Sequence, residues 1–474
     1  MKIKNILTLF FLFGFALGIV TCSHTQIQSP PSTSAIDPEA KAQNSLEIWW
    51  TQGLLPEENE AIVKLTDEWE RQSGMSVNLK LIPRTAIASE LEKAIATGSV
   101  PDIAYPDNAG PGSLFPRWAW QGKLADVTAL LEPLQDSFNE IALSGVYYQN
   151  HVSQERSYYA VPLGVATTNI HYWRNLLAEM GLDDTDIPRD WQGFWAFWQQ
   201  ASDRLHQNGR KDVFGMGLSM SDKGNDMARG FVHFLDARNV RILNKSGALL
   251  LEHPSNRQGL IDALAEYAGF YQEGYVPLGA TEWRDSGNNI SFLEGQSLMV
   301  FNGNLSIPLT QKLPNNPYNQ RSRNLYYRQI ATRGWPDKLD GTPMTAEIEV
   351  KQTAIFADAP HPKLAKQFLA YFLQPEHLSL WLESLKGRFL PPLQPLLESA
   401  FWNDPDDPHF AAAIAIQRGA TRPPWQVLHP AYSEVNAQKI WQKTLLSILQ
   451  DGLSPEEAAD RAITQIQDIF AQWS

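Results

Sequence analysis

Covalent chemistry has few footholds in this chain. Its ten histidines are scattered, and His171 falls in a stretch that reads as a packed strand. There is no Gly-x-Ser-x-Gly elbow, no His-Glu-x-x-His and no phosphate-binding loop. The 52 acidic residues leave open a carboxylate pair at the separation of about 5–10 Å that glycan hydrolysis needs. Binding chemistry is better represented. Asp107 and Asn108 set a carboxylate beside a carboxamide, a pair suited to bidentate hydrogen bonding of vicinal hydroxyls. Sixteen tryptophans suit ligands with flat apolar faces such as sugar rings, although a bulky core claims most of them. Trp191, Phe194, Trp195 and Trp198 form one helical stripe of the core kind.

The composition narrows the partners. A net charge of -13 argues against nucleic acid and says little about neutral ligands. Hydrophobic content of 43% and charged content of 19% are ordinary for a globular chain with full cores. Cys22 is the only cysteine, so neither a disulfide framework nor a cysteine-rich metal site can form. It ends a leader of Lys2, Lys4 and an apolar run of about 15 residues, shorter than the roughly 20 that span a bilayer. That junction resembles the lipid-acceptor site of bacterial lipoproteins, with Thr21 where Gly, Ala or Ser is usual. Residues 1–22 are thus expected to be a lipoprotein signal peptide with Cys22 as lipid anchor. Residues 23–45, rich in Ser, Pro, Thr and Gln, read as a flexible tether. The remaining 400 or so residues suffice for two large domains.

The elements follow a strand–helix rhythm. Strands are expected at Leu46–Trp50, Val77–Ile82 and Asp102–Tyr105. Between them lie a helix over Pro56–Ser73, capped by Gly74, and one over Glu90–Thr97, stopped by Gly98. The rhythm resumes with a strand at Asn169–Trp173, a helix capped by Asp190, a helix over Leu260–Gln272 and a buried strand at Leu298–Phe301. Helices follow over Lys363–Phe372 and Pro375–Leu385, and Ser454-Pro455-Glu456-Glu457 is a capping box that starts the last. Such alternation predicts parallel sheets covered by helices. No tandem repeat is present, which excludes a solenoid.

Six segments, in order, resemble the extracellular solute-binding proteins of ABC importers, the sugar-binding family that includes maltose-binding protein. They are Ile48-Trp49-Trp50; Ala96-Thr97-Gly98-Ser99-Val100-Pro101-Asp102-Ile103; Tyr159-Ala160-Val161-Pro162-Leu163-Gly164 with Thr168–Trp173; Phe292–Gly303; His361–Leu369 with Lys386–Pro391; and Gly452–Ala458. The resemblance implies an α/β two-lobe periplasmic-binding-protein fold, type II-like, with the ligand cleft between the lobes and three hinge crossovers. It places lobe one at 46–162 plus 352–399 and lobe two at 163–351 plus 401–474. Open α/β sheets bind at the carboxyl ends of their strands, and two such edges facing one another enclose a small molecule.

The same resemblance suggests the ligand contacts. Trp49, Trp50 and Gln52 follow the first strand, and strand alternation lets only one tryptophan face the cleft. Tyr105, Asp107 and Asn108 end the third. Thr167 stands where many relatives carry an aspartate, and Asn304 follows Asn302-Gly303 where many carry a tryptophan. Ser219, Asp222, Asn225 and Asp226 occupy a loop of lobe two, and Trp283, Arg388, Trp425 and Tyr432 complete the set. The expected protein is a monomeric, lipid-anchored receptor, not an enzyme. It needs no cofactor or metal, and it passes a carbohydrate, glycoside or polyol to the permease and ATPase subunits of an importer. The competing readings are a secreted glycan-acting enzyme, a sensory lipoprotein, and a receptor for a polyamine or glycerol phosphate.

Overall fold

The computed structural model describes residues 45–107, 114–312 and 319–473. The leader with Cys22, the expected tether up to residue 44, and Asn108 lie outside the described residues. The chain begins with β1 (Ser45–Thr51), in which Leu46, Ile48 and Trp50 are buried while Glu47 and Trp49 face the other way. Helix α1 (Pro56–Ser73) has proline in its first turn, buries Ile62, Leu65 and Trp69, and ends at Gly74, whose φ of 72° suits glycine. Strand β2 (Ser76–Ile82), α2 (Ile87–Thr97) and β3 (Ile103–Tyr105) follow, with β1 parallel to both its neighbours. After α3 (Leu114–Trp120) and the hairpin β4 (Tyr147–Asn150) and β5 (Glu155–Tyr158), the chain returns to the first sheet for one more strand before it crosses to a second. Strand β6 (Val161–Thr167) runs into β7 (Asn169–Trp173) with only Thr168 between them.

The second half of the chain builds that sheet and then returns. Helix α4 (Trp191–Gln207) starts where Asp190 accepts a hydrogen bond from the Gly193 N–H at 2.8 Å, and its aromatic stripe is buried. Strand β8 (Phe214–Met216), α5 (Asp226–Ala237), α6 (Pro254–Gln272), β9 (Ser297–Asn302) and β10 (Ile330–Arg333) complete this part. Strand β11 (Ala346–Ile355), α7 (Pro362–Phe372), α8 (Pro375–Ser384), α9 (Phe410–Arg418) and β12 (Thr421–Arg422) come next. Helices α10 (Ala431–Ala437), α11 (Ile440–Leu449) and α12 (Pro455–Ala471) close the chain. The capping box at Ser454 and Glu457 forms as the sequence predicts.

One sheet runs β12-β11-β3-β1-β2, with β6 also on β11, and the other β10-β7-β9-β8. Each carries its own core. The first draws on residues 46–166 and 346–414, the second mainly on 170–301 and 425–469. Both cores therefore lie within residues 46–469. Phe410, Ala413 and Ile414 sit in the first core, beyond the boundary near residue 400 expected from the sequence, and β11 joins the first sheet along its whole length. The long antiparallel pairing of β6 with β11, Thr167 opposite Ile348 through Val161 opposite Thr353, lies within the first sheet, and its Thr167 end, where Thr168 carries the chain into the second sheet, is the seam between the lobes. Helix α5 can seat against β9 because residue 230 is glycine: a Cβ there would stand 2.2 Å from the Phe301 ring. No helix among the described residues is long and apolar enough to cross a membrane.

Candidate functional site

A cleft opens where the two sheets meet, and solvent reaches into it. The first lobe lines it with Pro106 and Asp107 beyond β3, Phe115 of α3, Tyr148 of β4, and Glu347 to Gln352 of β11. The seam adds Ala166 and Thr168. From the other side come Asn225, Ala228, Arg229 and Val232 on one face of α5, Gly303 beyond β9, and Tyr432, Asn436 and Trp441 of the last helices. Gly303 leaves room for the Arg229 side chain, since a Cβ there would stand 2.8 Å from Cδ and 3.0 Å from Cζ.

An alternating ladder of charges runs through this cleft. Asp226 accepts from Arg229 at 3.1 Å, and Arg229 reaches Glu349 on β11 at 3.4 Å. Glu349 pairs with Lys351 at 2.6 Å, and Lys351 lies 3.5 Å from Asp107. Asp107 in turn holds Arg84 at 2.6 Å and Arg388 at 3.7 Å, and Arg388 pairs with buried Glu58 at 2.6 Å. A second tie runs beside it: Arg422 joins Asp236 of α5 at 2.8 Å to Glu347 of β11 at 2.7 Å while stacking on Trp425. The Arg229 and Arg422 ties both link α5, in the second lobe, to β11, in the first.

The titration of these groups follows from the ladder. Burial would raise the Asp107 carboxyl, but Lys351, Arg388 and Arg84 overcome it and hold the group well below the usual carboxylate range. Glu349 is likewise held down, against burial, by Lys351 and Arg229. Asp226 goes the other way, pushed up to about 6 by burial that Arg229 only partly counters. Burial also raises Glu58.

Of the residues singled out in the sequence, Asp107, Asn225 and Tyr432 line the cleft. Asp226 supports it through Arg229, Thr167 adjoins it in the seam, and Trp425 flanks it beneath Arg422. Arg388 is buried behind Asp107 and acts on the cleft only through it. The pleat of β1 explains the tryptophans. Trp50 points into the first core, stacked on Tyr105 at 4.3 Å, and Trp49 points outward, bonded to Glu47 beneath Lys80. Neither Trp49, Trp50 nor Tyr105 lines the cleft, and Gln52 is exposed beyond the strand end. Ser219 is buried with its carbonyl taken by Tyr267, and the Asp222 carbonyl accepts from Lys439. Trp283 packs on the second core, and Asn302 and Asn304 fold the turn after β9 by bonding Ser306.

Sequence reasoning missed the residues that dominate the cleft, namely Arg229, Glu347, Glu349 and Lys351. A signal for the last three was present. Ala346-Glu347-Ile348-Glu349-Val350-Lys351 alternates apolar and charged residues with the period of a strand, which puts all three charges on one face.

The chain matches the family described as bacterial extracellular solute-binding protein over residues 64–412. No curated protein matches it significantly. Solved structures share its fold at low identity. An ABC transporter solute-binding protein from Thermotoga lettingae TMO, bound with alpha-D-tagatose, is 18% identical with a TM-score of 0.70, over 90% of this chain and 99% of that one. A sugar transporter from Arthrobacter chlorophenolicus A6 with bound laminaribiose is 15% identical with a TM-score of 0.69, over 90% and 99%. The maltose-bound MalE3 of T. maritima is 17% identical with a TM-score of 0.68, over 90% and 100%.

Proposed function

Because the chain belongs to the bacterial extracellular solute-binding proteins, we propose that it captures an uncharged carbohydrate, glycoside or polyol between its lobes and delivers it to an ABC importer. One observation carries the choice of ligand. The charged groups lining the cleft are paired with one another: Asp107 with Arg84 and Lys351, Glu349 with Lys351 and Arg229, Glu347 with Arg422. An ionic solute would have to break such pairs, at the cost of leaving a partly buried charge unmatched. A polyol needs only hydrogen bonds, and Tyr148, Thr168, Gln352 and Gln426 stand along the cleft with Phe115 as an apolar wall. The solved neighbours bound with tagatose, laminaribiose and maltose support the same class.

The partners are the permease and ATPase of the importer, to which a monomeric receptor presents its closed form. Cleavage before Cys22 and acylation of that cysteine anchor the body outside the cytoplasm. The hinge lies at Thr167–Asn169, between Arg333 and Ala346, and after Arg422, where the chain passes between the two sheets.

The test is a thermal-melt panel on the chain from Ser23 onward, with mono- and disaccharides, polyols, spermidine and glycerol phosphate. A neutral sugar at about 100 times its dissociation constant adds roughly 2.7 kcal/mol and raises the melting temperature by a few degrees. A response only to the amine or the phosphate overturns the carbohydrate reading.

A further inference from the structure

The charge of this chain is unevenly spread. After Glu294 no acidic residue occurs until Asp337, and that stretch carries Lys312, Arg321, Arg323, Arg328 and Arg333. Two of the five are accounted for. Lys312 pairs with Asp407 at 2.7 Å, and Arg333 lies half-buried 5.5 Å over the Phe194 ring. The other three are exposed and line one surface groove together with Gln320, Asn324 and Tyr327. The Arg323 guanidinium sits 5.7 Å from the Tyr327 ring, and none of the three has a carboxylate partner among the described residues.

Three like charges converging on one groove repel one another, and a chain with net charge -13 had ample carboxylates with which to relieve them. Guanidinium groups bind phosphate oxygens in bidentate fashion, and amide and phenol groups beside them add further polar contacts. We propose that this groove, formed by Arg321, Arg323 and Arg328, docks on the anionic phosphate headgroups of the membrane face. The proposal rests on the reading that the body is held at a membrane through Cys22. The remainder of the acidic surface is repelled by such a membrane, so the groove would also orient the body, with this side towards the lipid. The interaction is short-ranged, since a Debye length of about 8 Å at physiological salt confines it to the patch itself.

The test is sedimentation of the chain from Ser23, which contains both cores and no acylable cysteine, with vesicles. One set is phosphatidylcholine alone, and the other contains equal amounts of phosphatidylcholine and phosphatidylglycerol. The chain is expected to bind the anionic vesicles at low ionic strength and to leave them as salt rises. Each arginine near an anionic surface contributes about fivefold, so Arg321→Gln/Arg323→Gln/Arg328→Gln is expected to bind on the order of a hundredfold more weakly. Its melting temperature, and the shift produced by the sugar, should match the unmutated chain, and Arg323→Gln alone should lose about fivefold. Undiminished binding by the triple variant overturns the proposal. So does equal binding to both vesicle types, absence of binding by the unmutated chain, or tighter binding to polyglutamate than to vesicles, which would assign the groove to an acidic protein. Failure of the sugar shift in the unmutated chain would count against the receptor reading alone.

Discussion

Asp107 anchors its corner of the cleft by charge, and its effects should appear first in stability. It is buried against Arg84, Lys351 and Arg388, so Asp107→Ala leaves three cations without their shared partner. Breaking buried pairs of this kind costs about 3 kcal/mol or more, and the melting temperature of the ligand-free protein should fall by several degrees. An unchanged ligand-free melt with lost sugar binding would instead make Asp107 a direct ligand contact. Arg229 is a more exposed strut. Arg229→Gln and Glu349→Gln should each weaken ligand binding about fivefold, and a double-mutant cycle should show coupling of roughly 0.5–1 kcal/mol between them. Additive effects would separate the two residues. Asp107 stands at the end of a strand that the sequence marks, whereas Asn225 and Tyr432 are expected only through the family resemblance. Arg229 could not be found from the sequence, since one arginine in the α5 pattern looks like any solvated charge until the fold turns that face towards β11.

The elements were the most legible level. Gly74, Asp190 and Ser454 cap their helices where the sequence places them, because capping chemistry is local. Which lobe an element joins is not local. Phe410-Ala411-Ala412-Ala413-Ile414 is an apolar helical stretch suited to either core, and only its packing in the three-dimensional fold assigns it to the first. The same holds for the two tryptophans of β1: period-two alternation says that they diverge, but which one faces the core depends on the helices that cover the sheet. At this scale α5 is the critical element, because it carries Arg229 and Asp236 and rests on β9 through Gly230. Gly230→Val should force α5 away from Phe301, destabilising the protein by about 1–3 kcal/mol and weakening ligand binding as Arg229 shifts. Unaltered melting and affinity would show that this contact does not set the helix position.

For the molecule as a whole, the design is two cores joined by a thin seam of strands and tied across the cleft by charge. Acid should loosen it through groups outside the cleft. His171 and His233 are fully buried, and burial lowers both to about 3. Between about pH 3 and 6.5 the unfolded chain binds protons at these sites that the fold does not, so stability declines as pH falls through that window. The slope is about 1.4 kcal/mol per pH unit for each histidine. Asp226 has the opposite sign: raised to about 6, it favours the protonated fold, and its contribution is lost as pH rises through 6. Denaturant melts from pH 7 to pH 5 should show a net loss, flattened in His233→Gln and steepened in Asp226→Asn. A pH-independent melt would contradict the burial of these rings. Whether a neutral sugar is held between the lobes is decided by small-angle X-ray scattering with and without the sugar that raises the melting temperature. The radius of gyration should fall on saturation, and Glu349→Gln should need more sugar to reach the same compaction. Binding with an unchanged radius, in both the unmutated chain and the variant, would contradict capture by closure.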